Sequence, residues 1–199
     1  MKHLVVLLTT FLLTYHASAE VAAVHAIKSN MPKATKASSA SSIPILISGD
    51  KKFINQTNAA LNLLKSKAPS DYAMVITYIG KIQQHNFSGM AAYETPPTYK
   101  VGTTANASVT WYASTIVHDA YHSKLYHDYL YTYKEAVPDE VWTGMDAEMK
   151  CLEAQIQTLI HMKAPKMEID HAISLRGTNW WDLNEDGIYD AEDEKLRDW

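Results

Sequence analysis

The sequence predicts an α+β domain in which a small twisted sheet packs on helices. Three observations predict it. Short apolar stretches punctuated by Gly and Pro fill the segment before Trp111, two long helical patterns follow that segment, and 47% hydrophobic content in 199 residues suffices for one core. With 20% charged residues, 7 Gly and 7 Pro, the chain is neither collagen-like nor wholly disordered, nor a multi-span membrane protein.

The chain opens with a segment that does not belong to the fold. Met1-Lys2-His3, an apolar run over residues 4–13 and then Ala17-Ser18-Ala19 describe a cleavable secretory signal over residues 1–19. The run is too short for a stable membrane anchor, so a secreted or periplasmic protein is expected. Residues 20–42, ending in a stretch rich in Ser, Ala and Lys, read as a flexible leader. An exported chain can form disulfides, yet Cys151 is its only cysteine. Stability must then come from the core or from bound metal.

The main domain is expected over residues 43–175. Ile43-Pro44-Ile45-Leu46-Ile47 reads as a strand, at an edge because Pro44 cannot donate to a ladder. Asp50 caps a helix in which Phe53, Thr57, Leu61 and Leu64 recur at three- and four-residue spacing, and Ala68-Pro69-Ser70 closes it. Residues 72–82 suit either a helix or a buried strand. Between Ser88 and Trp111, turns at Ser88-Gly89, Pro96-Pro97 and Gly102 separate two or three strands. The clearest alternation there is Ala105, Ala107, Val109 and Trp111. A helix follows from about 113 to 133; Pro138 interrupts, and another runs from about 139 to 162, before Pro165.

Chemistry concentrates on these two helices. His118 and His122 are four residues apart, so their rings lie one turn apart on one face. Ile116, Val117 and Ala120 predict that this helix is buried, and burying two unpaired imidazoles is costly. Binding one metal ion removes that cost. A catalytic zinc site takes three protein ligands and leaves a position for water. The next helix offers Glu148, with Glu153 as the alternative, and a short turn makes the two helices antiparallel neighbours. Cys151 reads as a small buried residue of that second helix.

Trp111-x-Ala113-x-x-Ile116-Val117-His118-Asp119-x-x-His122, followed by Glu148-x-x-Cys151-x-x-x-Gln155-x-x-x-Leu159, resembles the minimal zincin metallopeptidases with a glutamate third ligand, the gluzincin type. The resemblance spans residues 43–165. It implies a zinc-dependent hydrolase of peptide or protein substrates. His118, His122 and Glu148 would be the zinc ligands, and Asp119 would stand at the general-base position, acting on a water activated by the metal. The family has Glu where this chain has Asp119. The shorter side chain sets the carboxylate about 1 Å from the usual place, a displacement that can cost about 10²-fold in rate. Two further readings follow from that departure and from the tail: a zincin-like metal-binding protein without turnover, and a calcium-dependent adhesion or docking module.

Residues 176–199 form a separate tail. Asp182, Asn184, Asp186, Gly187, Ile188, Asp190 and Asp193 stand in the order of an EF-hand calcium loop. Side-chain oxygens fall at positions one, three and five, the turn glycine at six, a backbone carbonyl at seven, and acids at nine and twelve. Asp193 in the last place resembles the dockerin variant of that loop. From Asp182 to the end there are eight acidic and two basic residues, so the chain's net charge of -4 is concentrated here. That balance speaks against nucleic acid as a partner.

Overall fold

Helix α1 (Lys51–Lys67) begins where its cap lies in the sequence: the Asp50 carboxylate accepts a hydrogen bond from the Phe53 amide at 2.8 Å. It buries Phe53, Thr57, Ala60 and Leu64. The structure, a computed structural model, describes residues 45–186 and 191–196. The expected signal and leader, and the expected calcium ligands Ile188 and Asp190, lie outside the described residues.

Pro69 both ends α1 and opens α2 (Pro69–Tyr78), where its missing amide hydrogen costs nothing. The segment that suited helix and strand equally is divided between them. Helix α2 stops at Tyr78, and strand β2 (Lys81–Gln84) begins after Gly80. A Cβ at Gly80 would lie 2.4 Å from that of Pro96, so the turn needs glycine. Strands β1 (Leu46–Ser48), β3 (Gly89–Ala91) and β4 (Thr98–Val101) complete a four-stranded mixed sheet, ordered β1-β2-β4-β3. The β1–β2 and β2–β4 pairs are parallel, with Ile82 opposite both Ile47 and Tyr99. The β3–β4 pair is antiparallel. Among the described residues β1 and β3 are the two edges. The domain is therefore α+β, with most of its mass in helices.

Helix α3 (Val109–Tyr133) starts earlier than the sequence suggests, and the alternating segment before it is not a strand. Residues Thr103–Asn106 form a 3-10 turn, and Ser108 caps the helix by accepting from the Trp111 amide at 3.0 Å. A period-two pattern of small residues buries little, whereas the cap satisfies amides that would otherwise lack partners. The second long pattern is also interrupted. Thr143 separates a short α4 (Asp139–Trp142) from α5 (Gly144–Met162), and Gly144 takes a positive φ of 75° at the junction. Helix α6 (Lys166–Ser174) and the tail helix α7 (Ala191–Leu196) follow.

The first half of α3 is the centre of the core, packed against α1, α2 and α5. Trp111, Tyr112, Ala113, Ile116, Val117 and Ala120 are all buried there. A helix apolar on so many sides has little preference of its own for one rotation about its axis. Three polar contacts fix that rotation. Tyr112 and Thr57 hydroxyls pair at 2.8 Å, the Gln155 side-chain amide donates to Ser114 Oγ at 3.3 Å, and Ser123 Oγ donates to the Tyr78 carbonyl at 2.7 Å. With α1, α5 and α2 so engaged, Thr115, His118, Asp119 and His122 are left facing a cleft.

Candidate metal centre

The cleft has a volume of about 570 Å³ and lies between β3, α3, the start of α5 and residues 180–182. Met90, Trp111, Trp142, Trp180 and Trp181 make most of its wall apolar, and the polar groups His118, Asp119, His122 and Glu148 gather on one side. His118 and His122 are 5% and 7% exposed.

The two Nε2 atoms are 3.1 Å apart. The Glu148 carboxylate from α5 faces both of them, Oε2 at 3.2 Å from His118 and Oε1 at 3.4 Å from His122. Zinc held tetrahedrally at about 2.0–2.1 Å sets its nitrogen and oxygen ligands about 3.3 Å apart. The observed triangle fits that spacing.

The hydrogen bonding also points to a cation. His122 Nδ1 lies 2.7 Å from the Trp142 carbonyl, so its hydrogen is committed there and Nε2 presents a lone pair inward. A carboxylate brings lone pairs only. Glu148 Oε2 is buried and accepts no hydrogen bond, although an imidazole nitrogen is 3.2 Å away. His118 Nδ1 is buried without a partner, so the one hydrogen of a neutral His118 can stand on Nε2 within the cluster, where a metal ion would take its place. Burial works against a charged His122, yet the neighbouring Cys151 and Glu148 raise its pKa well above the ordinary imidazole value. Burial likewise pushes Glu148 up, but the two histidines hold its carboxyl well below the usual range.

The other expected ligand residues divide clearly. Glu153 is not brought to the cluster. It lies on the outer side of α5, about half exposed, with Arg176 at 2.5 Å and Gln157 at 2.9 Å. The five-residue step from Glu148 turns it away from α3. Asp119 is 8% exposed beside the cluster and lines the cleft. Burial pushes its pKa up to about 6, against the pull of His118, His122 and a hydrogen bond from Tyr99.

Sequence reasoning missed Cys151 as a member of this site. It is fully buried, and its sulfur lies with the His118 and His122 ring nitrogens in a group whose ligand atoms are all within 4.8 Å of one another. The signal was the Glu148-x-x-Cys151 spacing, which puts both side chains on one helical face.

In the tail, Asp182 Oδ1 and Asn184 Oδ1 both accept from the Asp186 amide at 3.1 Å. Asp193 Oδ1 accepts from the Leu183 amide at 2.7 Å and the Asn184 amide at 3.3 Å. The segment from Asp182 to Asp186 thus holds three of the six expected calcium ligands in one loop, and Asp193 reaches back to it from α7. That loop adjoins the cleft: Trp180 meets the His118 ring edge-on, with centroids 5.4 Å apart, and Trp180, Trp181 and Asp182 line the wall. The chain matches no protein-family model, no curated protein and no solved structure.

Proposed function

We propose that this chain is a secreted zinc-dependent hydrolase of peptide bonds, of zincin type, with His118, His122 and Glu148 as ligands. The observation that carries the reading is the placement of Glu148, from a different helix, against both imidazole Nε2 atoms. Zinc at such a position polarises a carbonyl and lowers the pKa of water. The protein's own groups would do the rest. The Trp142 carbonyl fixes the His122 tautomer, and Asp119 takes a proton from the attacking water and passes it to the leaving amine.

Strand β3 supports a peptide substrate. It is an edge of the sheet among the described residues, and Gly89, Met90 and Ala91 all line the cleft. An extended chain laid along it gains backbone hydrogen bonds, while apolar side chains enter the tryptophan-lined space. The tail loop is assigned to calcium, which would hold Trp180 and Trp181 in the cleft wall.

Elemental analysis of the purified protein, with hydrolysis of a mixed peptide pool, tests this reading. About one zinc per chain and chelator-sensitive cleavage are expected; protein that takes up no zinc would overturn it. For the tail, calcium is expected to raise the melting temperature, and a melt that ignores added calcium refutes that assignment.

A further inference from the structure

We infer that Cys151 is a fourth, direct ligand of the metal held by His118, His122 and Glu148, and that it gates the site. The inference rests on the zinc site proposed above and adds a regulatory device to it. Cys151 stands one turn beyond Glu148 on α5, on the same face, and is fully buried. Its sulfur is within 4.8 Å of both histidine ligand atoms. A tetrahedral site with sulfur at about 2.3 Å and nitrogen at about 2.0–2.1 Å separates those atoms by about 3.6 Å. The thiolate therefore reaches the ion with a shift of no more than about 1 Å, within the freedom of one side chain.

The surroundings leave the sulfur few other roles. His122 is its polar neighbour, and the Nδ1 of that histidine is already committed to the Trp142 carbonyl, so its Nε2 is the atom turned to the cluster. Two nitrogens, a carboxylate and a thiolate make a full tetrahedron. A zinc ion so held has no open position, the arrangement of structural rather than catalytic sites. Water reaches the ion only when the thiolate yields its place. Coordination by a borderline-soft ligand set also favours zinc over magnesium or calcium at this centre.

Cobalt(II) substitution reads this directly. The wild-type protein loaded with cobalt should show visible d–d bands together with an intense near-ultraviolet sulfur-to-cobalt charge-transfer band. Cys151→Ser and Cys151→Ala should keep the d–d bands, lose the charge-transfer band, and bind cobalt at least about ten-fold more weakly, since even outer partners of a ligand are worth about 10–100-fold. Because the first measurement uses wild-type protein, a misfolded variant does not blunt it. Cobalt bound with d–d bands but no charge-transfer band would overturn the role of Cys151 and leave the three-ligand site standing. No cobalt bound at all would overturn both.

Discussion

Helix α5 carries two glutamates five residues apart, and they live in different worlds. Glu148 is 15% exposed and faces two buried imidazoles, with one oxygen that accepts no hydrogen bond. Glu153 is 47% exposed and has Arg176 and Gln157 as partners. On the outer face water screens the charge, and an ion pair of this kind contributes about 0–1 kcal/mol. On the inner face little water reaches it, and its two oxygens face two imidazole nitrogens at 3.2 and 3.4 Å. An identical side chain on one helix is thus a solvated charge on one side and, on the other, a buried carboxylate set against two imidazoles.

The contrast can be broken or sharpened by four substitutions. Glu148→Ala should have the largest effect: zinc retained through gel filtration and dialysis is expected to fall from about one per chain to nearly none. Retention of a full equivalent would mean that Glu148 is not a ligand. Asp119→Ala comes next, because Asp119 borders the cluster without belonging to it. Zinc should stay, while peptide cleavage falls by about 10²–10⁴-fold, the usual worth of a general base; unchanged kcat would remove Asp119 from the chemistry. Tyr112→Phe touches the inner side of the fold but not the metal. It leaves the buried Thr57 hydroxyl without its 2.8 Å partner and should cost about 1–3 kcal/mol in a denaturant melt, with zinc content unaltered. Glu153→Gln should do least, changing stability by under about 1 kcal/mol and zinc binding not at all. A loss of zinc there would erase the distinction between the two faces.

Local signals in the sequence carried far, and long-range ones did not. Asp50 announces α1 and Pro69 announces the break after it, because a cap and a missing amide act within one turn. The His118–His122 spacing predicts that their rings share a face, since helical geometry alone fixes it. The segment from Ala105 to Trp111 misleads: its alternation is real, but Ser108 starts a helix in the middle of it. The sheet order is not readable from strands of three or four residues, whose patterns are too short to specify partners. Glu148 is preferred over Glu153 already in the sequence, because it shares a helical face with Leu152 and Gln155, both of which are buried. What the sequence leaves open is the rotation of α5 against α3, which Gln155 helps set through Ser114. Cys151 is buried, as the sequence suggests, and only its spacing from Glu148 hints that it also stands beside the two histidines.

The edge-on contact between Trp180 and His118 gives the molecule an optical probe of its own. An indole so close to an imidazole has an emission that depends on what that imidazole carries. A paramagnetic ion such as cobalt(II) or copper(II) bound there drains the excited state, whereas closed-shell zinc does not. Occupancy of the cleft by such a paramagnetic ion would therefore be read as a loss of indole emission in solution, without attaching any dye.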